Sequence, residues 1–377
     1  MLSLAEFVVW VVGVSVLVFV FIPIRGHRGP LDDEESELEP GELLPYTPPP
    51  AEPQAKRSAF KAYRLTNTTF LIIEVDDIYS EHPYIYAKLV PEADTILLLD
   101  TGCGGASSDR TVEITSLRAF LERVPVAENG GRPINDGARM RYVVALSHCH
   151  YDHIRRSPPR RALPPILTMP GLVGVEQFAC DSPVLQSAHS PAFVARDALP
   201  ANSLCTALGI RTPQFASVLI PHNTMLTSVS GVPLGMTLLH TPGHTPDEVA
   251  LWDAHDLMLY VGDTVYEWEP IIFPAQGDIS VWFATIDQLE AVVMSSRLPE
   301  AVRINCGHRT VTRPALEVLR AARQFVSDIL TGNVEVRWRR WRRGEWHVDY
   351  RQEGGQFSVR CPERLVEEAR HQRRLSI

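Results

Sequence analysis

Residues 146–153 read LSHCHYDH, and they follow an apolar run, RYVVA, at 141–145. The run reads as a buried strand, so the donor cluster sits at its C-terminal mouth, where layered α/β folds collect their sites. Positions two apart on an extended chain face the same way, so His148 and His150 project together. A turn directly after them would bring Asp152 and His153 round to a neighbouring point. Such a cluster could serve two metal ions about 3.5–4 Å apart, each short of ligands from this stretch alone.

Three later segments offer the missing donors, each at the end of an apolar run. They are His244 in LLHTPGHT (238–245), Asp263 in LYVGDTVY (259–266) and His308 in INCGHRT (304–310). Imidazole and carboxylate donors suit zinc, two per chain, with iron or manganese as alternatives.

Around these motifs the pattern is that of a layered domain. Strands are expected over 68–75, 84–90, 95–102, 140–148, 236–244 and 257–263, each β-branched or aromatic and bounded by polar, Pro or Gly residues. Apolar residues at helical spacing predict helices over 112–124, 281–296 and 314–330. Strands then helix, twice over, predict an α/β fold of two packed sheets with helices outside. The proline-rich stretch 154–235 reads as a functional lid or an excursion from the core.

HxHxDH followed by TPGHT, GD and GH, in that order, resembles the metallo-β-lactamase superfamily over roughly residues 66–330. The resemblance implies an αβ/βα sandwich with a dinuclear metal site at one edge. It implies His148, His150 and His244 as ligands of one metal, and Asp152, His153 and His308 as ligands of the other. Asp263 would be the bridging carboxylate, and Asp100 in LLLDTG would orient a metal-binding histidine. The family commonly has glycines after the DH, where this chain has IRRS (154–157), which alters local shape and adds positive charge.

The resemblance further implies a metal-dependent hydrolase in which a metal-bridging hydroxide attacks a carbonyl. Asp152 would hold the nucleophile, and Tyr266 could donate to the developing oxyanion. Segment 261–292 is similar to acyl-CoA thioesterase-like and lactonase-like members, so the expected bond is a thioester or lactone in a small acyl substrate. The alternatives are a mononuclear-iron persulfide dioxygenase-like oxidoreductase and a β-lactamase or glyoxalase II-type activity. A tethered binding protein with a structural metal is the non-enzymatic reading.

The ends of the chain are of different character. FVVWVVGVSVLVFVFIPI (7–24) is an uncharged run of about 27 Å as a helix, which predicts a transmembrane signal anchor over 1–28. Arg25 and Arg28 on its C-terminal flank favour a cytosol-facing body on an endomembrane; secretion or a lumenal body after signal cleavage is the alternative. Residues 29–57 are acidic and proline-rich and read as a solvated linker. The body spans 58–335. The extension 336–377 interleaves tryptophan and arginine and predicts a hairpin turning at Gly354–Gly355, packed on the body. A net charge of −9 over 377 residues argues against nucleic acid as the partner. Six scattered cysteines give neither a disulfide framework nor a CxxC zinc site.

Overall fold

The run TILLL forms a strand, β4 (Thr95–Leu99), whose five residues are all buried. It is apolar throughout because both faces are covered. Ile96 and Leu98 join a core under a helix, α1 (Leu117–Arg123), while Leu97 and Leu99 join a second core between two sheets. The next strand, β5 (Arg141–Ala145), divides likewise, with Tyr142 and Val144 on one side and Val143 and Ala145 on the other. Period-two alternation into two apolar environments is the signature of a middle layer. The computed structural model describes residues 57–155 and 173–375.

The first sheet runs in chain order: β1 (Phe60–Arg64), β2 (Thr69–Glu74), β3 (Tyr84–Val90), β4, β5, β6 (Val184–Ser187) and β7 (Val218–Ile220). It is antiparallel as far as β4 and parallel from β4 to β7. The second sheet has the order β14 (Arg313–Pro314), β13 (Arg303–Asn305), β11 (Met258–Tyr260), β10 (Val249–Asp253), β9 (Pro233–His240), β8 (Thr224–Thr227). Its outer face carries α5 (Ile279–Met294) and α6 (Ala315–Thr331), which bury Trp282, Ile286, Leu289, Leu319, Phe325 and Ile329. Asp278 caps α5 by accepting the Val281 N–H at 2.9 Å, and Gly332 ends α6 in the left-handed conformation. Short helices α2 (Tyr151–Ile154), α3 (Glu176–Ala179) and α4 (Leu199–Asn202) lie within the connections.

Three expectations change. The helix expected over 112–124 is shorter, because Ser116 caps it by accepting the Ala119 N–H at 3.0 Å, and Ile114 instead bridges to Ser58. The stretch 154–235 is more than an excursion: among its described residues it supplies β6 and β7 to the first sheet and β8 to the second. The tryptophan–arginine segment is not a single hairpin. It forms β15 (Val336–Arg342), β16 (Glu345–Arg351) and β17 (Ser358–Pro362), antiparallel in sequence, followed by α7 (Glu363–Leu375). The first turn is Arg343–Gly344, both at positive φ (50° and 85°), the conformation a two-residue hairpin favours. Gly354–Gly355 lies in the second turn. A short strand, β12 (Pro270–Ile272), pairs in parallel with β17 and closes a third sheet.

The anchor expected over 1–28 and the linker, Arg57 apart, lie outside the described residues. Among the described residues no helix is long and apolar enough to cross a membrane.

Candidate metal centre

Strand direction gathers the donors. β4 and β5 are parallel, so Asp100, next after β4, and the loop from Ser147 to His153, after β5, leave the first sheet at the same edge. β9 and β11 are both antiparallel to β10, and β13 is parallel to β11, so these three also share one direction. His244, Asp263 and His308 each lie just beyond the C-terminal end of one of them. Both sheets thus empty their donors at one place.

The seven side chains form two groups. Ligand atoms of His148, His150 and His244 all lie within 4.8 Å of one another, as do those of Asp152, His153, Asp263 and His308. In the first group, His150 Nδ1 is 2.9 Å from His148 Nε2 and 3.1 Å from His244 Nε2. In the second, His308 Nε2 is 3.3 Å from Asp152 Oδ2, and His153 Nε2 is 3.5 Å from the same oxygen. Asp263 reaches both. Its Oδ1 lies 3.5 Å from His153 Nε2 and 3.6 Å from His308 Nε2, and its Oδ2 lies 4.0 Å from His244 Nε2. The expected donors are therefore brought together, with Asp263 between the two groups.

The outward nitrogens of these rings are held by the protein. His153 Nδ1 is 2.8 Å from Asp100 Oδ2, His244 Nδ1 is 2.6 Å from the Ile272 carbonyl, and His308 Nδ1 is 2.9 Å from the Glu81 carbonyl. His148 Nδ1 lies 3.0 Å from Ser147 Oγ, which itself donates to Asp100 at 2.8 Å, and 3.5 Å from Glu248 Oε2. An N–H spent outward fixes the tautomer and leaves Nε2 of each ring as an inward lone pair. His150 is the exception and presents Nδ1.

Electrostatics distinguish the two groups. Burial, then the neighbouring rings, holds His148 well below the usual histidine range, and burial and His244 bring His150 to about 3. Burial also lowers His244. These three imidazoles are neutral, the form that binds metal. In the second group burial opposes the charged forms but loses. His153, beside Asp100, Asp152 and Asp263, and His308, beside Asp263 and Asp152, stand well above the usual range. Asp152 and Asp263 are correspondingly held below theirs. His153 Nε2 and Asp263 Oδ1 are buried with no hydrogen-bond partner. Buried polar atoms converging without partners are costly unless a cation compensates them, so the donor set fits divalent metals.

Tyr266 lies beside the second donor group. Its ring packs edge-on against His308 at 5.5 Å, but its hydroxyl donates to the Pro270 carbonyl at 3.0 Å. In this structure that proton is directed at a backbone carbonyl. Cys149 and Cys306 are fully buried in the cores on either side. Arg155, after the DH, is also buried, with its guanidinium 3.6 Å from the Tyr79 ring centroid. Two supporting residues escaped sequence reading, Ser147 and Glu248. Glu248 is buried and accepts the Asp263 N–H at 3.0 Å, but the acidic pair Asp247–Glu248 after TPGHT gave no motif to find it by.

The family model of the metallo-β-lactamase superfamily matches residues 196–308, a span that holds His244, Asp263 and His308. The Aspergillus versicolor protein avaE, whose name assigns it only provisionally to transcription factors, is 30% identical over 331 residues, 83% of this chain and 89% of that one. A solved metallo-β-lactamase family protein of Thermus thermophilus is 16% identical, with a TM-score of 0.49 over 71% of this chain and 82% of that one. A metallo-β-lactamase of Pontibacter korlensis is 15% identical, with a TM-score of 0.42 over 69% of this chain and 99% of that one. The chain thus carries a domain of the metallo-β-lactamase superfamily, and His244, Asp263 and His308 fall within the matched residues.

Proposed function

We propose that the protein is a dinuclear metal-dependent hydrolase of an ester-type bond, a thioester or a lactone in a small acyl substrate. The observation that carries this reading is Asp263, whose two oxygens face the two donor groups, three histidines on one side and a carboxylate with two histidines on the other. His148, His150 and His244 would hold one ion; Asp152, His153 and His308 the other. Bound there, zinc or another divalent metal supplies Lewis acidity and makes water a competent nucleophile at neutral pH. The chain's own residues do the rest. Asp100, Ser147 and the carbonyls of Ile272 and Glu81 keep the rings in one tautomer and one orientation. Asp152, on the turn that follows His150, orients the attacking water.

A mononuclear-iron oxygenase of persulfides is the second reading. It would use only part of this ligand set, and the presence of Asp152, His153 and His308 together weighs against it. A DNA-binding role, which the name of the A. versicolor relative suggests, draws no support from a net charge of −9.

Metal analysis of the purified chain, with hydrolysis assays on acyl-CoAs, lactones, β-lactams and S-acyl-glutathiones, tests the proposal. About two metals per chain and turnover of a thioester or lactone, lost in Asp263→Asn, are expected. One iron per chain with oxygen consumption would replace it by the second reading, and a metal-free inactive chain would end it.

A further inference from the structure

The third sheet starts at the metal centre and ends in a cluster of arginines. Ile272, the last residue of β12, holds His244 through its carbonyl. From Ile272 the register carries one row straight across the sheet, to Arg360, then Asp349, then Trp338. Residues in register project on the same face. The adjacent row, Ile271, Val359 and Tyr350, is buried in the core, so the row from Ile272 to Trp338 lies on the opposite face. Ile272 is 43% exposed there.

At the far end three guanidiniums converge on one indole. Those of Arg340, Arg342 and Arg360 lie 5.1, 5.5 and 5.4 Å from the Trp338 ring centroid. Asp349, buried beneath, takes Arg360 at 3.2 Å and Arg337 at 3.9 Å. Glu345, on the same face, is drawn off to Arg364 at 2.9 Å. Neither Arg340 nor Arg342 forms an ion pair among the described residues. Gathering like charges is unfavourable, and here it happens in a chain whose net charge is −9. Stacking on Trp338 keeps the guanidiniums together in the fork geometry that suits phosphate oxygens.

Three interstrand steps of roughly 4.8 Å place Trp338 about 14 Å from Ile272. That is the reach of about four residues of extended chain. A pantetheine arm, two amide-linked units and a terminal thiol, is of similar extent.

We propose that this row is a binding track for the nucleotide end of an acyl thioester of the coenzyme A class. The acyl carbonyl would lie at the metal centre, the arm across β12 and β17, and the phosphates against Arg340, Arg342 and Arg360. The proposal rests on the hydrolase reading and deepens it. Water adds across the C–S bond, giving a carboxylic acid and the free thiol, and no redox partner is needed.

Two measurements on the full chain test it. Calorimetric titration with adenosine 3′,5′-bisphosphate should show binding that is at least about tenfold weaker in the double variant Arg340→Gln/Arg342→Gln. In the same variant, the ratio of KM for an acyl-CoA to KM for the acyl-N-acetylcysteamine bearing the same acyl group should rise by about tenfold. No binding of the bisphosphate, or an unchanged ratio, overturns the track. Binding of phosphatidylserine vesicles or of a single-stranded oligonucleotide in place of the bisphosphate also overturns it. If the bisphosphate binds through these arginines while neither thioester is hydrolysed, the track stands and the hydrolase reading falls.

Discussion

Asp100 Oδ2 sits 2.8 Å from His153 Nδ1, both side chains buried, while Asp100 Oδ1 accepts the Ser147 backbone N–H at 2.7 Å. One carboxylate thus fixes a ring of the second donor group and the start of the loop that carries the first. Asp100 has φ 68°, a left-handed conformation that Asn tolerates nearly as well as Asp. Asp100→Asn therefore keeps the backbone while offering an N–H where the carboxylate accepted one. The ring is pushed to the tautomer protonated at Nε2, which cannot ligate. Metal affinity should fall by about 10–100-fold, read by competition with a chelator, with the fold retained by circular dichroism. Unchanged affinity would detach Asp100 from the centre.

Gly307→Ala isolates the second donor group. A Cβ at Gly307 would stand 2.2 Å from Asp263 Oδ1 and 3.1 Å from His153 Cε1. Its backbone is outside the left-handed region, so the effect is steric alone. Overpacking of this kind costs about 1–3 kcal/mol and is relieved most readily by swinging the Asp263 carboxylate away. The variant should keep a cooperative melt and lose tightly bound metal, counted by elemental analysis. Two tightly held ions in the variant would contradict the geometry.

Tyr266→Phe should leave kcat within about threefold of the parent on an activated ester, well short of the loss that follows removal of an oxyanion donor. The phenolic proton goes to Pro270, and the ring that supports His308 is retained. A hundredfold loss of kcat would return Tyr266 to a catalytic role.

Much of the centre was legible in the sequence, for a physical reason. A metal site needs donor side chains of particular types, and these follow apolar runs that announce strands. The strand expected at 84–90 is Tyr84–Val90 in the structure. Among the strands that escaped, β6, β7 and β8 have three or four residues each, and in β7 Val218 and Leu219 are 52% and 38% exposed, so no alternation marks them; β1 and β10, of five residues each, escaped as well. Ser147 and Glu248 act through hydrogen bonds that only the folded chain creates. For Tyr266, sequence position placed the ring near the donors but carried nothing about the direction of the hydroxyl, which the folded chain turns to Pro270.

Glu74 sets a pH dependence of its own. It is buried, and its oxygens accept the N–H groups of Gly104 at 3.0 Å and Gly105 at 3.2 Å. Burial outweighs these bonds and raises its carboxyl to about 8. An acid with a raised folded value keeps its proton where the unfolded chain has lost it. Its contribution to stability is therefore complete below the unfolded value, near 4.5, and declines as the pH rises to about 8. Glu74→Gln mimics the protonated form and lacks that decline. Relative to the variant, the parent should lose stability from pH 5 to pH 8, by at most about 1.4 kcal/mol per unit, in urea melts at each pH. Parallel profiles would mean that Glu74 is ionised throughout.

The C-terminal strands complete the fold and reach the metal centre through β12. Val348, Tyr350, Phe357, Val359, Cys361, Leu365 and Val366 are each at most 3% exposed and share one core with α5 and α6. Burying a large apolar side chain is worth roughly 1.5–3 kcal/mol, so their sum rivals the whole stability of an ordinary domain, about 5–15 kcal/mol. Removing them also takes β17 from β12, leaving the Ile272 carbonyl that holds His244 on an unpaired segment. A chain ending at Glu335 should be recovered aggregated, or without a cooperative thermal transition by calorimetry. The milder Val359→Ala should keep the transition at a lower temperature and weaken metal retention against a chelator, because β12 loses packing where it supports His244. A truncated chain that melts cooperatively within a few degrees of the parent and still retains its metal would show that His244 is held without the third sheet.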